Sequence, residues 1–263
     1  MRGYGVLVVA PLVLVACSGG GGSPGGEGGR ASASRGASTA PASGPEDTGL
    51  IDADPARLPA SRADALAFIG KVIADPDSFG PGVVRRSPYE SDPATWPVLG
   101  ADCAWQRKKP ASSVLATRSR SFEVPAAGGR GPLRLSAVVT VHRTREDARW
   151  EMAESLEETM RCPTQQLKQG ELIGSLVSGS LAQGESTQNS SEDSLIEYGQ
   201  YRNAASGGDP YPYSWLQAQS LQFTVAVTGK GAKGWTDAEI GALTVQAQSA
   251  MLLRLKSAVE KQS

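Results

Sequence analysis

The sequence predicts an α+β domain, with a largely antiparallel sheet and about three helices packed on one face. Two observations predict the elements. Capped segments of helical period stand at the start, middle and end of residues 59–263, and alternating apolar runs lie between them. A third predicts the pairing: short loops join neighbouring runs, which suits antiparallel strands.

The first helix is read in "SRADALAFIGKVIADP". Ser61 and Asp64 have capping-box spacing, Leu66, Ile69, Val72 and Ile73 recur at helical spacing beside Phe68, and Pro76 is expected to stop it. Two strands follow, a weaker run over 114–124 and "LRLSAVVTVHR", which alternates Leu133, Leu135, Ala137, Val139 and Val141 against a polar face. "AAGGRG" reads as the hairpin loop between them. The second helix opens at Thr144 and Asp147. Its stripe Ala148, Met152, Leu156 and Met160 is expected to be buried, and Pro163 closes it. Residues 194–203 and "LQFTVAVTG" are further strands. The last helix opens at Thr236 and Glu239, with Ile240, Leu243, Ala247, Ala250, Met251 and Leu255 as its buried face.

The amino-terminal end carries a different signal. Met1-Arg2 precedes an apolar run of about a dozen residues, the layout of a secretory signal and too short for a ~30 Å hydrocarbon core. Leu14-Val15-Ala16-Cys17 resembles the lipobox of bacterial lipoproteins. That resemblance implies cleavage before Cys17 and acylation of its thiol, with two or more chains giving stable anchorage. Residues 1–16 are therefore read as a lipoprotein signal peptide. Residues 17–58, the acylated Cys and a Gly/Ser/Ala/Pro stretch, are read as a tether spanning roughly 35 Å. Residues 59–263 are the extracytoplasmic domain. The expected location is the cell membrane, lipid-anchored on its extracytoplasmic side.

Composition excludes several function classes. A formal net charge of −1 gives no drive toward nucleic acid. Cys103 and Cys162, an even pair in an exported chain, read as one disulfide. Two cysteines and one distant histidine do not make a zinc set, so no metal and no cofactor is expected. No G-x-S-x-G, H-E-x-x-H or P-loop pattern is present, and "GKGAKG" (229–234) reads as a strand-to-helix loop. His142, the one histidine, is read as a partly exposed strand residue, and Glu151, Glu154, Glu157 and Glu158 as a solvated helix face. No catalytic residue is assigned.

Candidate binding residues are of two kinds. Tyr211, Tyr213 and Trp215 in "DPYPYSWLQ" are rigid aromatics that either stack on a ligand or plug the end of the core. Arg118, Arg120 and Arg134 belong to a basic segment, and gathered on one sheet face they would attract an anionic envelope polymer.

The Cys103-Ala104-Trp105 strand start, the strand running into Thr144-Arg145-Glu146-Asp147-Ala148, the helix ending in cysteine and the terminal strand–glycine loop–helix together resemble actinobacterial lipoproteins with a PknH-like extracellular sensor domain. The resemblance covers roughly residues 60–263. It implies a compact α+β domain with a cleft for an unidentified ligand. The chain departs from the kinase sensor in having one candidate disulfide where that domain has two, and it lacks the kinase. The expected function is non-catalytic binding of a small molecule or envelope component. The alternative is a structural lipoprotein that docks an envelope protein.

Overall fold

The computed structural model describes residues 51–180 and 185–261. Its helices are α1 (Arg62–Val72), α2 (Pro76–Phe79), α3 (Arg145–Arg161), α4 (Glu185–Ser190) and α5 (Asp237–Val259). Its strands are β1 (Val84–Glu90), β2 (Trp96–Leu99), β3 (Trp105–Lys108), β4 (Val114–Val124), β5 (Leu133–His142), β6 (Gln165–Lys168), β7 (Glu171–Gly179), β8 (Asp193–Asn203), β9 (Tyr211–Ser220) and β10 (Phe223–Lys230). Among the described residues eight strands form one antiparallel sheet in the order β1-β4-β5-β10-β9-β8-β7-β6, and β2 and β3 form a separate hairpin. The α+β class and the antiparallel sheet are thus as the sequence predicts. The signal peptide, Cys17 and most of the tether lie outside the described residues.

The first face of the sheet is apolar because alternate side chains of each strand point to it. Leu133, Leu135, Ala137, Val139 and Val141 from β5 lie beside Phe223, Val225 and Val227 from β10, all buried. α1 and α5 cover them. Phe68 stacks on Phe223 with ring centroids 4.6 Å apart, and Ile240, Ala247, Met251 and Leu255 of α5 complete the core. Each of the Val, Leu, Ile, Met and Phe side chains among them contributes roughly 1.5–3 kcal/mol by leaving water. The caps read in the sequence are present: Ser61 accepts from Asp64 N–H, and Thr144 and Thr236 form reciprocal boxes with Asp147 and Glu239. Pro76 differs from expectation. It starts α2, where its missing N–H costs nothing, and α1 has already ended at Val72.

The second face carries the larger surprise. α3 packs here, opposite α1 and α5, so the helices are divided between the two faces. The strand side chains below it are polar: His142 and Thr140 on β5, Thr224 on β10, Gln217 on β9. Buried polar groups need partners, and α3 supplies a carboxylate. Glu151 accepts from Gln217 Nε2 at 2.8 Å and Thr224 Oγ1 at 2.9 Å, and its Oε2 lies 2.6 Å from His142 Nε2. His142 is therefore buried, and Glu151 belongs to the interface, where the sequence reading had it in solvent. The same need rotates α3. Ala148, Met152 and Thr159 face the sheet, while Leu156 and Met160, expected to be buried, are exposed.

Residues 51–58, read as the end of the tether, pack on the domain. Ile51 is buried, Asp54 N–H donates to Val259 O at 2.8 Å, and Ala53 bridges to Glu260. Among the described residues no helix is long and apolar enough to cross a membrane.

Candidate ligand-binding site

A groove runs along the second face, roofed by the β2–β3 hairpin. The hairpin turns tightly between Gly100 and Ala104, with Cys103 in the left-handed region at φ 59°. Cys103 is bonded to Cys162, the residue that ends α3, with Cα atoms 5.6 Å apart. The pair expected from cysteine parity thus ties the roof to the wall. Closing a loop of this length contributes about 4 kcal/mol in the chain-entropy picture. Three further contacts fix the hairpin: Gln166 N–H donates to Cys103 O at 2.8 Å, Trp105 Nε1 to Gln165 Oε1 at 2.8 Å, and an Arg161 guanidinium nitrogen to Gly100 O at 3.1 Å.

Beneath the roof lie two cavities, of about 460 Å³ and about 160 Å³. Both are lined by Pro97, Trp105, Thr117 and Val138, so they adjoin along the groove. The floor of the larger one is hydroxylated, with Ser119, Ser121 and Ser136 beside Thr117.

The two ends carry opposite charge. The smaller cavity is walled by Trp96, Trp105, Trp215 and Tyr213, with Glu151, Glu154, Glu158 and Glu197 around them. Burial, and next the charge of Glu154, pushes Glu158 up to about 7, although Leu99 N–H donates to it. Burial also raises Glu197, outweighing the hydrogen bonds from Thr159 and Ser178. Burial and the Glu197 charge raise Tyr213, so its phenol stays protonated.

The larger cavity ends at a basic corner formed by Arg86, Arg134, Lys168 and Lys230. A nitrogen of Arg134 lies 2.7 Å from Glu171 Oε1 and 3.0 Å from Tyr201 Oη, and Lys168 Nζ lies 3.0 Å from the same carboxylate oxygen. Burial works against ionising Glu171, but the hydrogen bonds from Lys168 and Arg134 and the Lys230 charge outweigh it and hold its carboxyl below the usual range. Burial, opposed by the pull of Glu171 and reinforced by the Arg134, Lys168 and Arg86 charges, lowers Lys230 to about 8.

The structure sorts the residues singled out in the sequence. Tyr213 and Trp215 line the groove, and so does Arg134. They reach it on strands: "YPYSW", read as a loop edge, is the start of β9, with Tyr211 paired to Tyr201 outside the cavity lining. Arg118 and Arg120 are not brought together with Arg134. Paired residues share a face, and Arg120 sits opposite Ala137 of the core face, while Arg134 sits opposite Glu123. Arg118 and Arg120 instead pair with Glu90, at 3.5 and 3.0 Å, and Arg120 also donates to the carbonyls of Ile73 and Ala74 where α1 ends. Both tie β4 to β1, and Arg120 also ties it to the α1 terminus.

Several lining residues were not found from the sequence. Lys230 closes the polar alternation Thr224-Ala226-Thr228-Lys230, a legible signal that the glycine-rich loop reading obscured. Trp96 and Lys168 lie on four-residue strands with no periodicity to read, and Glu171 opens the longer strand β7, where a charged residue is not an expected buried one. Among the described residues no three His, Cys, Asp or Glu side chains converge as a metal site. No family model, no curated protein and no solved structure matches the chain.

Proposed function

We propose that this protein is a lipid-anchored, extracytoplasmic binding protein whose groove receives a small molecule or a fragment of envelope material. Cys17 carries the anchor in this reading and the following stretch is the leash. The observation that carries the binding role is the covered groove itself, with tryptophan walls, a hydroxylated floor and a roof held covalently. Concave sites with aromatic walls and a few convergent polar groups are what small ligands use. The likeness to PknH-like sensor domains, which implies a ligand cleft, supports the same reading. His142 is buried against Glu151 and does not line the groove.

Docking of a protein partner draws less support. The exposed large apolar side chains are divided among several elements: Val84 on β1, Trp150, Leu156 and Met160 on α3, Leu172 and Val177 on β7 with Tyr198 of β8 opposite Val177, and Leu253 on α5.

Two experiments test the proposal. Full-length protein purified in detergent is screened by thermal shift and native mass spectrometry against envelope lipids, glycans and metabolites. At least one class is expected to raise the melting temperature, and Trp105→Ala is expected to remove the effect. A screen in which nothing binds overturns the binding role. For the anchor, Cys17→Ser is expected to release the protein from the membrane fraction, and undiminished membrane attachment overturns the localisation.

A further inference from the structure

We infer that the basic corner of the groove is an anion subsite built for a phosphate group carried on a small polyhydroxylated molecule, with Lys230 as its principal contact. The inference rests on the binding role proposed above and specifies its ligand.

Charge balance is the starting point. Arg134, Lys168 and Lys230 gather around one carboxylate, Glu171. Arg134 and Lys168 both take its Oε1, and Asn203 Nδ2 approaches the same atom at 3.4 Å. Lys230 is left over: among the described residues no carboxylate lies within ion-pair distance of its ammonium, which sits 5.7 Å from the centre of the Tyr201 ring. Three cations against one anion leave a net charge of +2 at a half-covered corner. Arg86, the next cation, is 3.8 Å from Glu123 and adds little to the imbalance.

An ammonium held out of water without a counter-ion is costly to a fold, and an anionic ligand removes that cost. Phosphate suits the corner because its oxygens accept from several donors at once, and because the Arg134 fork and the Lys230 point charge approach from the neighbouring strands β5 and β10. The remainder of the ligand is specified by the floor. Ser119, Ser121, Ser136 and Thr117 offer hydroxyls along the path from the basic corner to Trp105. Hydroxyl donors and acceptors ending at an aromatic ring match a polyol or sugar, which hydrogen-bonds at its edges and stacks on its face. The carboxylates at the far end disfavour a second anionic group there.

The pH dependence is part of the inference. The groups facing Lys230 are Arg134 on β5, Glu171 on β7, Lys168 on β6, Arg86 on β1, the phenol of Tyr201 on β8 and Tyr213, its register partner on β9, whose phenol stays protonated. Glu171 is held below the usual carboxylate range, and the titration near 8 belongs to Lys230. A phosphate monoester gains its second charge near pH 6. Affinity is therefore expected to rise through about pH 6 and to fall as pH passes about 8.

The test uses full-length protein in detergent, titrated by calorimetry and tryptophan fluorescence with glucose, inorganic phosphate, glucose 6-phosphate and phosphatidylglycerol vesicles. Glucose 6-phosphate is expected to bind saturably, phosphate more weakly and glucose not at all. Lys230→Met is expected to weaken binding about tenfold or more. Lys230→Arg is expected to restore most of it, and Lys233→Met, at an exposed site outside the groove, to change nothing. Vesicle binding that needs Lys230 while the soluble esters fail identifies the phosphate source as a lipid headgroup and upholds the anion subsite. Equal binding of glucose and its phosphate, or full affinity in Lys230→Met, overturns the subsite and leaves the binding role standing. So does a screen in which only uncharged or cationic compounds bind through Trp105. If nothing in either panel binds, both fall.

Discussion

Glu158 is a carboxylate that the fold keeps close to half-protonated at neutral pH. Its pKa is pushed up to about 7 by burial and by Glu154, far above the range of a glutamate in an unfolded chain. Between those two values the folded protein binds more protons than the unfolded one, so stability falls as pH rises through that window and the loss is complete above about 7. Glu158→Gln, which keeps an acceptor for Leu99 N–H, is expected to raise the melting temperature by about 2–4 °C at pH 8 and to leave it unchanged at pH 5. Equal shifts at both pH values would show that the charge is not the cause. None of this was visible in the sequence. Glu151, Glu154, Glu157 and Glu158 read as a solvated face because alternation tells which strand residues point away from the core, and says nothing about whether water or a second layer awaits them. His142 was misplaced for the same reason.

At the level of elements, capping chemistry was the most legible signal. Ser61, Thr144 and Thr236 each sit where the sequence put a helix start, because a side-chain acceptor three residues before a partner is a local feature. The rotation of α3 was not legible, since it answers to the polar strand face beneath it. β9 was missed because Pro210 and Pro212 read as loop punctuation, although Pro212 occupies a strand position opposite Gln200. One glycine sets how closely an element approaches. A Cβ on Gly229 of β10 would lie 2.3 Å from Ile240 Cγ2 of α5. Gly229→Ala is therefore expected to push α5 off the sheet and destabilise the protein by about 1–3 kcal/mol in urea unfolding. An unchanged midpoint would mean that the helix sits looser than its packing implies.

For the whole molecule, the division into an apolar face and a polar face is what creates a site. One face is a conventional core, and the other holds a helix at one end and a stapled hairpin at the other, with the groove between. Cutting the staple tests that organisation. Cys103→Ser with Cys162→Ser is expected to cost about 4 kcal/mol. It should also release Trp105 to solvent, read as a red shift in tryptophan emission and as lost ligand protection. A double variant with native stability and emission would assign the hairpin's position to its hydrogen bonds alone. The strand order has a consequence of another kind. Among the described residues β10 is the last strand made, yet it lies mid-sheet between β5 and β9, with α5 laid across it. A nascent chain halted before residue 223 holds two half-sheets with nothing to join them. The groove, whose floor and basic corner draw on both halves, is therefore complete only when translation is almost finished.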